Sequence, residues 1–132
     1  MSDMYGAVRS NWFKVKDPAE FRDWFEANVW FGYEVELWIG RDPANPHLVA
    51  FGGYEQYPSA YPRRLFDVDD DDADEPDTWG LDEFAAEIRK RLQDGEEFRV
   101  LAAGNEKLRY VSATHLIITA TKATFSEYYE GN

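Results

Sequence analysis

Eight carboxylates fall within the eleven residues Asp67, Val68, Asp69, Asp70, Asp71, Asp72, Ala73, Asp74, Glu75, Pro76 and Asp77. Three chemistries suit such a run. The first is calcium binding, because Asp67, Asp69 and Asp71 have the one-three-five spacing of an EF-hand loop. Its sixth position, however, is Asp72 instead of Gly, and its twelfth is Thr78 instead of Glu, so both the turn residue and the bidentate ligand are missing. Weak, unselective attraction of divalent cations is all that this spacing supports, and no metal site is expected. The second reading is a solvated loop held open by repulsion between neighbouring carboxylates. The third is imitation of a nucleic-acid backbone: duplex DNA carries roughly one charge per 1.7 Å of axis, a density that the run approaches without any base chemistry.

Other chemistry-bearing residues are sparse. His47 follows Pro46 in a turn-like stretch, and His115 lies in the most β-branched part of the chain on the face of Ala113 and Ile117. Neither has a partner at recognisable catalytic or metal-ligand spacing. Ser10, Ser59, Ser112 and Ser126 have no nucleophile-elbow context. Gly52-Gly53 lacks the pattern that cradles phosphate, and a cysteine-free chain has no thiolate chemistry. The expectation is a non-enzymatic protein with no cofactor.

The remaining candidates are contact residues. Glu34 and Glu36 alternate with Val35 and Leu37 and would extend the acidic patch; Trp38 continues the same phase. Tyr54, Tyr57 and Tyr61 are interleaved with Pro58 and Pro62, and Trp79 follows the acidic run. Tyr and Trp are favoured at protein interfaces. The expected partner-binding set is therefore Asp67, Asp69, Asp70, Asp71, Asp72, Asp74, Glu75, Asp77, Glu34, Glu36, Trp38, Tyr57, Tyr61 and Trp79. The plainer alternative is that the tyrosines close over a sheet edge.

Composition bounds what can hold these residues. The chain has 132 residues, the size of one domain, and 17% are aromatic, far above a disordered composition. Net charge is −12; without the eight acids of residues 67–77, 18 acids face 14 bases and the balance is −4. The acidity is thus concentrated. Such a chain repels nucleic acid and anionic membrane and attracts basic proteins. No apolar run approaches the roughly 20 residues of a membrane span, and the start has no signal-peptide pattern, so a cytoplasmic protein is expected.

Element by element, Ala7 to Lys16 reads as a strand with Val8 and Trp12 on one face and Phe13 and Val15 on the other. Asp17 then caps a helix, with Pro18 at its first position, Glu20 completing a capping box, and Phe21, Trp24 and Phe25 as an apolar stripe. Residues 33–54 form a hairpin around the turn 41–46, with Gly52-Gly53 marking a bulge or a close backbone approach. Residues 55–64 read as irregular and about 65–78 as an exposed acidic loop. A second helix carries Leu81, Phe84, Ala85, Ile88 and Leu92, with Gly80 as N-cap, a Trp79–Phe84 staple and Gly95 as the C′ residue. Strands at 97–103 and 111–121 flank a turn at 104–107, and 125–132 reads as a loose tail. This order predicts a single α+β domain, a two-layer sandwich with a mostly antiparallel sheet and two helices on one face. Its pattern is a ferredoxin-like β-α-β-β-α-β with an extra C-terminal hairpin strand.

The stretch Ser10-Asn11-Trp12-Phe13-Lys14-Val15-Lys16-Asp17 followed by Phe21, and the later Gly104-Asn105-Glu106-Lys107-Leu108-Arg109-Tyr110-Val111, resemble two landmarks of a group of small uncharacterised acidic proteins carried by bacterial plasmids and phages. The resemblance implies a mobile-element context and supplies no catalytic residues. Together with the charge it points to an inhibitor of a nucleic-acid-binding host defence complex, of anti-CRISPR or anti-restriction type, acting as a phosphate-backbone mimic. An immunity protein that neutralises a basic toxin such as a nuclease is the alternative, and an enzyme or small-ligand binder using the open sheet face is the third.

Overall fold

Asp17 accepts the N–H groups of Ala19 and Glu20 at 3.1 and 3.2 Å, so the first helix starts where the cap and Pro18 require. The capping box is only half formed. Glu20 does not turn back; its carboxylate takes the Arg91 guanidinium of the second helix at 3.0 Å. The computed structural model describes residues 5–31, 35–40, 43–54, 58–64, 78–106 and 110–131.

In chain order these are β1 (Tyr5–Ser10), β2 (Phe13–Lys14), α1 (Pro18–Asn28), β3 (Val29–Trp30), β4 (Glu36–Ile39), β5 (Leu48–Tyr54), β6 (Arg63–Arg64), α2 (Leu81–Arg91), β7 (Phe98–Glu106), β8 (Tyr110–Ile118) and β9 (Ala123–Gly131). The main sheet runs β4, β5, then β1 continued by β2, then β7, β8 and β9, with every pairing antiparallel. β3 and β6 form a separate two-residue pair. The domain is α+β, with a mostly antiparallel sheet and both helices on one side of it.

Aromatic rings fill the space between the layers. From α1, Phe21 meets Phe13 edge-on at 5.4 Å and Phe25 lies 4.9 Å from Phe51. From α2, Phe84 meets Phe98 edge-on at 5.9 Å. Val8, Val100, Leu116 and Ile118 complete the sheet side of the core, and Ile88 the helix side. Such pairs add to the burial of apolar area that drives the layers together. The charges of α2 follow its dipole, with Asp82 and Glu83 in the first turn and Arg89, Lys90 and Arg91 in the last.

Several details depart from the sequence reading. The first strand is broken: β1 pairs Arg9 with Gly52, whereas β2 pairs Phe13 with Val49, so Ser10, Asn11 and Trp12 stand against only Ala50 and Phe51. The extra residue is a bulge. It shifts the phase and puts Val8, Phe13 and Val15 all on the helix side, leaving Trp12 outside. Gly104 and Asn105 are not a turn, because β7 continues through Glu106 in register with β8. Gly95, with φ of 83°, sits inside the turn closed by the Glu96 N–H to Gln93 carbonyl bond, while the helix cap is the extended Leu92.

The C-terminal stretch is no loose tail: β9 pairs with β8 along its whole length, from Ala123 opposite Ile118 to Gly131 opposite Tyr110. Its ladder bonds and the packing of Phe125 against the core hold it. The sheet therefore carries two strands beyond β7 where one was expected, and the strand order differs to that extent from the expected pattern. The acidic loop at about 65–78 lies outside the described residues except for Thr78, which bridges to Arg63.

Candidate functional site

Both helices cover one face of the sheet, and among the described residues no helix covers the other. Directly opposed residues share a face, so the register identifies what that open face presents. Arg9 stands between Gly52 and Leu101; Leu101 opposes His115, which opposes Ser126. Ala103, Ala113 and Tyr128 form the row on one side of it, and Arg99, Ile117 and Thr124 the row on the other. On β4 and β5 the same face carries Glu36, Trp38 and Tyr54.

Its chemistry is apolar and aromatic. Trp12, Tyr54, Leu101, Val111 and Tyr128 are exposed large hydrophobic residues and all belong to it; Leu101 is 51% exposed and Tyr54 74%. Small residues in the middle, Ala7, Ala103 and Ala113, leave the surface low between them. Toward β4 there is an open depression of about 710 Å³ floored by Ala7 and Gly52-Gly53 and walled by Arg9, Trp38 and Tyr54.

Gly52 makes that wall possible. A Cβ there would lie 3.0 Å from the Trp38 ring, 3.0 Å from the Val8 carbonyl oxygen and 3.2 Å from Arg9 Cδ. Without a side chain at Gly52, the Trp38 indole lies across the strand and meets Arg9, whose guanidinium is 4.6 Å from the ring centroid. The Trp12 ring centroid lies 5.8 Å from the same guanidinium. The close-approach reading of Gly52-Gly53 thus describes this site.

The expected contact residues divide. Glu36 is exposed and Trp38 half-buried on the open face. The carboxylate of Glu36 shares that face with the cations Arg9 and Arg99, so the described part of the face is mixed in charge and not a polyanionic strip. Tyr61 belongs to the opposite side, where its ring meets Phe125 edge-on at 5.1 Å. Trp79 is a correction: it is 6% exposed, packs between Trp24 and Phe84, and donates its indole N–H to the Asn28 carbonyl at 3.1 Å. The staple position carries the ring into the core, where no partner reaches it. Glu34, Tyr57, Asp67, Asp69, Asp70, Asp71, Asp72, Asp74, Glu75 and Asp77 lie outside the described residues.

The sequence reading passed over Arg9 and Leu101. Leu101 had a visible signal: in Phe98 to Ala103 the inward phase is Phe98, Val100 and Ala102, and Leu101 is the bulky apolar residue in the solvent phase. Arg9 had none, because its importance comes from two tryptophans brought to it by separate elements.

Among the described residues no three His, Asp or Glu side chains converge as metal ligands. Arg63 and Arg64 both stack on tryptophans. Arg64 pairs with Glu83 and lies over the Trp79 ring at 4.3 Å, and Arg63 lies over Trp30 at 5.2 Å. On α2, hydrogen bonds from Arg91 and then Lys90 hold the Glu87 carboxyl below its usual range. That cluster belongs to the helix side. Among the described residues no helix is long and apolar enough to cross a membrane. Comparison with family models, curated proteins and solved structures gives no match.

Proposed function

We propose that this protein acts by binding another protein, as a non-enzymatic inhibitor that occupies a basic, nucleic-acid-binding surface of its partner. The observation that carries the reading is the open sheet face, where Trp12, Tyr54, Leu101, Val111 and Tyr128 share one side of a domain whose core is already complete on the other. Exposed aromatic and aliphatic side chains gathered on one face mark interaction sites. Aromatic and aliphatic groups would make the contact, and the net charge of −12 would select a basic partner and speed the encounter. The acidic run at 67–77 serves attraction in this scheme, through its resemblance in charge density to a phosphate backbone. The resemblance of two stretches to proteins of plasmids and phages directs the search to host defence complexes of CRISPR or restriction type. The ferredoxin-like reading of the frame is supported by the antiparallel row β4, β5, β1 and β7 with a helix in each crossover, to which β8 and β9 are added.

Affinity capture from host lysate followed by mass spectrometry identifies the partner, and displacement of nucleic acid from that partner tests the mechanism. The expected result is displacement by the wild-type protein that Leu101→Glu abolishes without loss of fold. Replacing the acids of 67–77 with Ser and Asn should lower potency and flatten its salt dependence. A partner without a basic site, or full potency of Leu101→Glu, overturns the proposal.

A further inference from the structure

β9 is a nine-residue strand, paired to β8 without a bulge, and among the described residues no strand pairs with its outer side. An edge of this length displays a row of backbone N–H and C=O groups that can accept another strand, and natural proteins blunt such edges with lysines, prolines or bulges. No lysine, proline or bulge interrupts it between Ala123 and Gly131, and the charges that guard it are carboxylates, which repel acidic strands and admit basic ones. Its charged residues are Glu127 and Glu130, both exposed. They stand on opposite sides of the ribbon: Glu127 is opposite Thr114 on the helix side, and Glu130 is opposite Val111 on the open side.

We propose that β9 is a docking edge for an extended basic segment of a partner protein, which adds to the sheet as its next strand. Backbone hydrogen bonds would provide the binding, and cross-strand pairing would select the sequence. Because directly opposed side chains share a face, Glu127 and Glu130 call for Lys or Arg three positions apart on the incoming strand, one on each face. Opposite charges at such positions contribute, and like charges oppose. A second copy is the poorer occupant, since it brings its own acidic edge and a further net charge of −12. The inference rests on the binding reading only for the sign of the partner's charge.

The test uses the full chain and two short Val/Thr peptides, one with two lysines three positions apart and the other with two glutamates in their place. Hydrogen exchange is followed residue by residue. The expected result is protection of alternate amides between Thr124 and Glu130 on adding the lysine peptide. Binding should weaken with salt, and the glutamate peptide should bind at least tenfold more weakly. The double variant Glu127→Lys/Glu130→Lys should reverse the preference. Leu101→Glu should leave peptide binding intact, so that failure of the open face and failure of the edge are told apart. Protection elsewhere, an unchanged preference in the double variant, or protection of β9 that rises with protein concentration in the absence of peptide, which would signal self-pairing, each overturns the proposal.

Discussion

The Ser10 hydroxyl oxygen accepts the Phe51 N–H at 2.8 Å, and the same hydroxyl donates to the Asn11 carbonyl at 2.9 Å. This side chain stands in for the ladder bond that the bulge removes, and it is 3% exposed. Asn11 meanwhile keeps its pairing to β7, donating its N–H to the Arg99 carbonyl and accepting the Arg99 N–H on its side-chain oxygen. One serine thus lets the strand change phase while its neighbours on both sides stay bonded. Ser10→Ala should leave the Phe51 N–H buried without an acceptor and cost about 1–3 kcal/mol, since an unsatisfied buried donor loses its full solvation. Denaturant unfolding should show a lower midpoint with an unchanged slope.

Gly52→Ala should destabilise the fold by about 1–3 kcal/mol, the usual cost of overpacking. The added methyl meets the Val8 carbonyl oxygen, which is backbone and cannot swing aside. Trp38 should also leave Arg9, so the variant should show altered tryptophan fluorescence in the folded state as well as a lower melting temperature.

Trp79→Ala and Trp38→Ala should separate core from surface. Trp79→Ala removes a buried ring that touches Trp24 and Phe84, and should cost about 3–5 kcal/mol. Trp38→Ala removes a half-buried ring and its contact with Arg9, a cation–π pair of about 0.5–1 kcal/mol at an exposed site. Equilibrium unfolding of both variants checks the order, and partner capture should be weakened by Trp38→Ala at a temperature where that variant is fully folded.

Glu87 links stability to pH. Its carboxyl titrates below the usual range because Arg91 and then Lys90 hydrogen-bond the ionised form. A group with a depressed folded-state pKa stabilises the fold above its unfolded pKa, and that contribution is lost as pH falls through the folded value. Glu87→Gln should therefore be less stable than wild type near neutral pH, with the difference shrinking from about pH 4.3 downward. Unfolding at a series of pH values between neutral and strongly acidic checks it.

Local rules made much of this protein legible from its residues. Asp17-Pro18 starts α1, Gly80 and Trp79 start α2, and the alternation of Leu37 with Glu36 and Trp38 identifies the two sides of β4, because cap chemistry and side-chain period act within a few residues of chain. The charge excess and its concentration in residues 67–77 are likewise properties of composition. What tertiary structure decided was phase and company. Val8 and Phe13 share a face only because a bulge between them fits against Ala50 and Phe51, and no periodicity contains the inserted residue. Trp79 became core because Trp24 and Phe84 close around it from separate helices. The C-terminal residues became a strand because Tyr110 to Ile118 offered a complete ladder for them; Thr124, Phe125, Tyr128 and Tyr129 favour extended backbone, but the partner that satisfies their backbone groups is supplied by the sheet. The open face, finally, exists because both helices cross on the same side of the sheet, a choice made by chain connectivity and not by any single residue.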